Sequence, residues 1–351
     1  MSSGDSANNT NAPAATTLST QTQVWVGDPL VFPKRDHELF LRFPRWEGLV
    51  PAGLEPNFLG VMTRTSYFKL FQSHSADHYE KTRYPRLNEE YFEWIDLLEA
   101  VQSAEESFTL LELGAGWGRW MANAVAVMKQ INDLPYTLVG VEAEPTHFQW
   151  MKQHLQENGV DLSRCHLIEA AVTDKDGEVG FYVGETPWGG PSDCYGQSIG
   201  GPTKVKALSL NTVLQPFPRV DLIDMDIQGA EWEVLEAAAD EVDRRVKRVH
   251  VETHNRAVES GLRALFSRLG WVKLRDYPCT ITYPTSLEVE TDWGVVKFQG
   301  GVQSWVNPKL VKAEDLVEFT AKYMECPLGF ALWANPDDYV GKLLLTQKVY
   351  E

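Results

Sequence analysis

The stretch Leu110-Leu111-Glu112-Leu113-Gly114-Ala115-Gly116-Trp117-Gly118-Arg119 constrains this chain most tightly. A short apolar run leads into three alternating glycines, and the helix-compatible segment RWMANAVAVMKQIN follows. Glycine admits positive φ and leaves no Cβ between the backbone and whatever approaches it. The same change of period recurs downstream. YTLVGVEAE precedes THFQWMKQHLQENG, which ends at Gly159, and CHLIEAAV reads as a third strand. VDLIDMDI precedes AEWEVLEAAADEV, RVHVETH precedes AVESGLRALFSRLG, and WVKLRDYP fits a sixth strand. Strands alternating with helices predict a mostly parallel sheet covered on both faces. Ligands of such sheets bind outside the carboxyl ends of the strands.

The flanks are different. Residues 1–22 carry few side chains able to offset the entropy of ordering, and read as a disordered tail. Residues 23–105 are rich in aromatics, prolines and charges. Within them PRLNEEYFEWIDLLEAVQSA predicts an amphipathic helix after Pro85, with Tyr91, Trp94, Ile95, Leu98 and Val101 on its buried face. Residues 106–275 hold the strand-helix alternation, and 276–351 form a C-terminal extension. There FALWANP is expected to supply a last, antiparallel strand, which makes 283–326 an insertion.

Composition narrows the partners. The formal net charge of −17 argues against a phosphate backbone or an anionic membrane surface. No apolar run approaches the roughly 20 residues that span a bilayer. The N-terminus lacks the basic and apolar blocks of a signal peptide. Cys165, Cys194, Cys279 and Cys326 form no CxxC pair. A cytoplasmic protein with reduced thiols is expected, acting on a small molecule, with self-association into a homo-oligomer left open.

Six features carry chemistry. The first is the glycine loop, with Glu112, Gly114, Gly116 and Gly118 as candidate cofactor contacts. A dinucleotide fingerprint needs a sixth-position glycine, and counting from Gly114 that position is Arg119, which argues against NAD(P) chemistry. The second is Glu142, one strand-helix unit further, placed to accept both hydroxyls of a ribose. The third is Glu169, Ala170 and Ala171, where small side chains leave room for an adenine. The fourth is the strand containing Asp224 and Asp226, which share a face because strand side chains alternate. The fifth is His250, Glu252 and His254, alternating in the same way on the next strand. The sixth is the Gly/Pro/Ser-rich segment 184–202, a loop carrying Trp188, Tyr195, Gln197 and Ser198 near the cleft.

The glycine loop resembles the nucleoside-binding loop of Rossmann-like methyltransferases. The stretch Asp226-Ile227-Gln228-Gly229-Ala230-Glu231 resembles the Asp-x-Glu-Gly-x-Glu signature of the FkbM-type methyltransferases. Asp226, Gly229 and Glu231 match that signature. Gln228 replaces its acid by an amide, and Asp224 stands where a lysine is frequent. KVKALSLNTVL and EAAVTDKDGEVGFYV resemble flanking parts of the same family, with Asn211 in place of an aspartate. The resemblance covers about residues 108–272. It implies an α/β Rossmann-like methyltransferase sheet; the helical, aromatic-rich cap before it and the C-terminal extension lie outside the resemblance. The cofactor implied is S-adenosylmethionine, with Asp226 among its contacts. The activity implied is transfer of a methyl group, usually to oxygen and sometimes to an amine or amide nitrogen, in natural-product or glycan assembly.

For Asp224, Asp226, Glu252 and His254 three readings stand side by side. They hold a divalent metal such as Mg²⁺ or Mn²⁺ that polarises a hydroxyl. Alternatively His254 or Asp226 acts as a general base without metal. Or they form a hydrogen-bonded polar cluster. A protein that keeps the sheet but has lost catalysis is the rival from another class, favoured by the departures at Asp224 and Gln228.

Overall fold

The computed structural model describes residues 38–68, 74–184, 199–279, 281–284 and 295–312. The expected tail 1–22, Trp188, Tyr195, Gln197, Ser198, Cys194, Cys326 and FALWANP lie outside them. Seven strands form the central sheet: β1 Phe108–Leu113, β2 Tyr136–Glu142, β3 Cys165–Glu169, β4 Leu222–Met225, β5 Arg248–Thr253, β6 Val272–Tyr277 and β7 Gly301–Val306. Their order across the sheet is β6-β7-β5-β4-β1-β2-β3. The pairs among β1 to β5 are parallel, and β7 runs antiparallel to both β5 and β6.

The antiparallel strand is therefore GVQSWV, inside the stretch 283–326 expected to be an insertion. All six of its residues are buried. A strand enclosed by neighbours on both edges and helices on both faces has no need of polar alternation. That is why this segment lacked the expected strand signature.

The helices that matter for the site are α1 Glu89–Gln102, α2 Arg119–Ile131, α3 Pro145–Glu157, α4 Leu210–Leu214, α5 Glu231–Ala237, α6 Ala239–Arg245 and α7 Arg256–Leu269. Asn88 caps α1 by accepting from the Tyr91 amide at 3.2 Å. Glu144 caps α3 in the same way, followed by Pro145 at the first helical position. The segment AEWEVLEAAADEV, expected as one helix, breaks at Ala238 into α5 and α6.

Strand alternation sorts the core into two layers. Leu110, Leu138 and Leu222 pack with α1, α2 and α3 on one face. Leu111, Val139, Ile223, Met225, Val249 and Val251 pack with α4, α5 and α7 on the other. Glu112, Asp224, His250 and Glu252 have the parity of the first layer. Every residue of α1 from Tyr91 to Val101 is buried, its acids included. The expected amphipathic helix thus has no solvent face over that span. Its Asp96 and Glu99 are met by Arg248 and Arg275 from the sheet.

Candidate active site

A cavity of about 760 Å³ opens at the carboxyl ends of β1, β2 and β4. That volume lies in the range of small-molecule sites.

The glycine loop leaves β1 with positive φ at Gly114, Gly116 and Gly118. A Cβ on Gly114 would fall 1.8 Å from the Asp226 carbonyl oxygen. Only glycine lets the loop press against the end of β4. A Cβ on Gly116 would meet nothing within 4 Å, because this residue faces the cavity. Its N–H donates to Glu142 Oε2 at 2.7 Å, and the Glu144 amide donates to Glu142 Oε1 at 2.7 Å. Burial pushes the Glu142 carboxyl up to about 7, against the pull of those amides. Glu112 accepts from the amides of Trp120 at 3.1 Å and Met121 at 2.9 Å. It thereby caps α2, whose preceding residue, Gly118, has no side chain for the task. Burial pushes Glu112 up to about 8. Ala170 and Ala171 line the cavity beside Val172 and Phe181, an apolar wall next to Glu142. Glu169, at the end of β3, is exposed and absent from the cavity lining.

The strands place Asp224 opposite both Glu112 and His250 in register. Asp224, Asp226, Glu252 and His254 nonetheless do not converge as one group. Two residues along a strand span about 6.6 Å, so each aspartate finds partners on neighbouring elements. Asp226, Glu252 and His254 bring one ligand atom each within 4.8 Å of one another. Asp224 does the same with His250 and with Glu93 of α1.

In the first of these groups His254 sits between two carboxylates. Its Nδ1 lies 2.8 Å from Glu231 Oε1 and its Nε2 lies 3.3 Å from Asp226 Oδ1. Burial opposes a charge on the ring, but Glu231, Asp226 and Glu252 outweigh it and push its pKa up to about 10. That setting favours the protonated ring, which has no lone pair to accept a proton. The Gln228 amide donates to Asp226 Oδ1 at 2.6 Å, and Gln228 itself takes a left-handed φ of 57°. Burial raises the pKa of Asp226, partly offset by His254.

The cavity has further walls that the sequence did not announce. Glu89, Glu90 and Glu93 reach it from the first turns of α1, and Arg119 from the start of α2. Arg119 holds Glu90 through two bonds of 2.7 and 2.8 Å. Acids in the first turn of a helix are favoured by its dipole wherever it lies, so nothing in the sequence singled out Glu89 and Glu90 as cavity residues.

A sheet of this order, with a glycine loop after its first strand and a cleft above it, is that of the Rossmann-like methyltransferases. Residues 114–275 match the model of the methyltransferase FkbM domain, and the chain is a methyltransferase. A protein of Jannaschia sp. (strain CCS1) named as a methyltransferase is 27% identical over 242 residues, 66% of this chain and 86% of its own. Two solved structures align at low identity. The methyltransferase FkbM from Methylobacillus flagellatus KT is 12% identical with a TM-score of 0.37, over 58% of this chain and 44% of that one. The precorrin-6y C5,15-methyltransferase from Geobacter metallireducens GS-15 is 11% identical with a TM-score of 0.36, over 61% and 87%. No helix among the described residues is long and apolar enough to cross a membrane.

Proposed function

We propose that this protein transfers the methyl group of S-adenosylmethionine to a hydroxyl oxygen of a small molecule, natural product or glycan. The observation that carries the reading is the common cavity. Gly116, Glu142, Ala170, Ala171 and Asp226 line one space. Glu142 uses one lone pair of each oxygen on a backbone amide and keeps the others for two ribose hydroxyls. The alanines and Phe181 give the adenine a flat apolar wall. The sulfonium is tolerated by the Glu252 carboxylate, which lines the same cavity.

Transfer is an in-line displacement. The acceptor oxygen forms a bond to the methyl carbon as the carbon–sulfur bond breaks, and S-adenosylhomocysteine leaves with a neutral sulfur. Much of the rate comes from holding oxygen, carbon and sulfur in line. Asp226 takes the hydroxyl proton. Burial strengthens it as a base, and the Gln228 amide and the His254 imidazolium fix its orientation. His254 and Glu231 are thus positioning residues, while Glu252 shapes the acceptor side. The net charge of −17 favours a small acceptor over nucleic acid, and the protein is assigned to the cytoplasm.

Isothermal titration tests the cofactor. S-adenosylhomocysteine should bind and NADH should not. Binding of NADH alone would overturn the reading, and binding of neither would favour a non-catalytic scaffold. Incubation with methyl-labelled cofactor and metabolite extracts tests the acceptor. Label on a hydroxyl of a small molecule is expected; label on nitrogen or in nucleic acid would reject that part of the proposal.

A further inference from the structure

The group formed by Glu93, Asp224 and His250 is distinct from the Asp226–His254 pair. His250 is 1% exposed, Asp224 6% and Glu93 8%. Among the described residues, no side chain hydrogen-bonds or ion-pairs with the carboxylates of Glu93 and Asp224. His250 Nε2 is buried without a partner as well. Its other nitrogen, Nδ1, lies 2.7 Å from Asp96 Oδ2. Asp96 also accepts from Arg248 at 3.1 Å, from Arg275 at 2.6 Å and from the Ser304 hydroxyl. Two guanidinium groups on one carboxylate favour its ionised form. An ionised Asp96 can only accept, so Nδ1 donates and Nε2 keeps its lone pair.

An imidazole whose far nitrogen is anchored on a carboxylate is how proteins orient a metal-ligating histidine. Two buried carboxylates side by side are costly without a cation between them. We propose that Glu93, Asp224 and His250 bind one divalent first-row cation at the cavity wall. The mixed donor set, one nitrogen and two carboxylates, suits Mn²⁺ or Zn²⁺. The three ligand atoms lie within 4.8 Å of one another. Glu93 and Asp224 line the cavity while His250 lies behind them, so the ion's open positions face the acceptor. There it binds the acceptor oxygen and lowers the cost of removing its proton, and that proton still goes to Asp226. This role rests on the methyl-transfer reading, whereas occupancy of the site does not.

The test is titration of the full chain, stripped with chelator, with Mn²⁺, followed by electron paramagnetic resonance and calorimetry. One ion per chain is expected. Asp224→Asn and His250→Gln should abolish that binding. Asp96→Asn, which leaves the ligands in place but loosens His250, should weaken it about 10–100-fold. Glu252→Gln, in the neighbouring group, should leave it unchanged. S-adenosylhomocysteine titration of each variant reports whether it is folded and keeps the two readings apart. Failure of the wild type to bind Mn²⁺ or Zn²⁺ while it binds S-adenosylhomocysteine would overturn the metal site and leave methyl transfer standing. Mn²⁺ binding that survives Asp224→Asn but is lost in Glu252→Gln would equally overturn it, moving the ion to Asp226 and His254.

Discussion

At the ends of β1 and β2 the cleft is built from main-chain amides answered by carboxylates, whereas at the ends of β4 and β5 it is built from side chains that face one another. Glu142 and Glu112 each take two backbone N–H groups. Among the described residues Glu93 and Asp224 take none, and Asp226 is steered by Gln228 and His254. The first half is complete as the chain folds and suits a ligand that never changes. The second half holds charge in reserve for whatever it meets there.

The comparison breaks most severely at Gly116. Gly116→Val puts a branched side chain into the cavity at φ 54°, and titration should then detect no S-adenosylhomocysteine. Measurable affinity in a folded variant would mean that the loop is not the cofactor's seat. Next in size is Asp226→Asn. Losing a general base costs about 10²–10⁴-fold, so turnover should fall by that much while cofactor affinity changes far less. Equal losses in both would assign Asp226 to the cofactor half. Glu142→Ala removes charged hydrogen bonds worth about 1.5–3 kcal/mol. It should weaken S-adenosylhomocysteine about 10–100-fold, with single-turnover chemistry nearly intact at saturating cofactor.

The smallest effect is in pH. Glu142 titrates at about 7 and accepts ribose hydroxyls best when ionised, so cofactor affinity should rise as pH increases through 7. Stability moves the other way. A carboxyl raised from 4.5 binds its proton more tightly when folded, and its contribution declines as pH rises from about 4.5 to about 7. Glu142→Gln should flatten both curves; an unchanged affinity profile would place the titrating group elsewhere.

The same division decided what the sequence could tell. Gly114, Gly116 and Glu142 were legible because a backbone-built site needs particular residues at fixed offsets from strand ends. The parity of Asp224, Asp226, His250, Glu252 and His254 was legible for the same local reason. Their division into two groups was not, since it depends on Glu93, which arrives from a helix far away in the chain. Nor was the contact of His254 with Glu231, because the signature that picks out Glu231 does not say which side chain it meets. The antiparallel strand escaped because Gly301–Val306 carries Gln303 and Ser304 into the interior, where Gln303 bonds the Glu259 carbonyl and Ser304 bonds Asp96.

That last strand also orders events in time. β7 inserts between β5 and β6 with register contacts from Arg248–Val306 to Thr253–Gly301. A chain emerging from the ribosome can assemble β1 to β5 long before residue 301 appears. Until then one edge of β5 offers unpaired backbone groups, a template for another molecule's strand. Pairings this distant in sequence are slow to form. Nascent or C-terminally shortened forms are therefore the ones most exposed to aggregation, and Asp96 receives its bond from Ser304 only when synthesis has passed the end of the sheet.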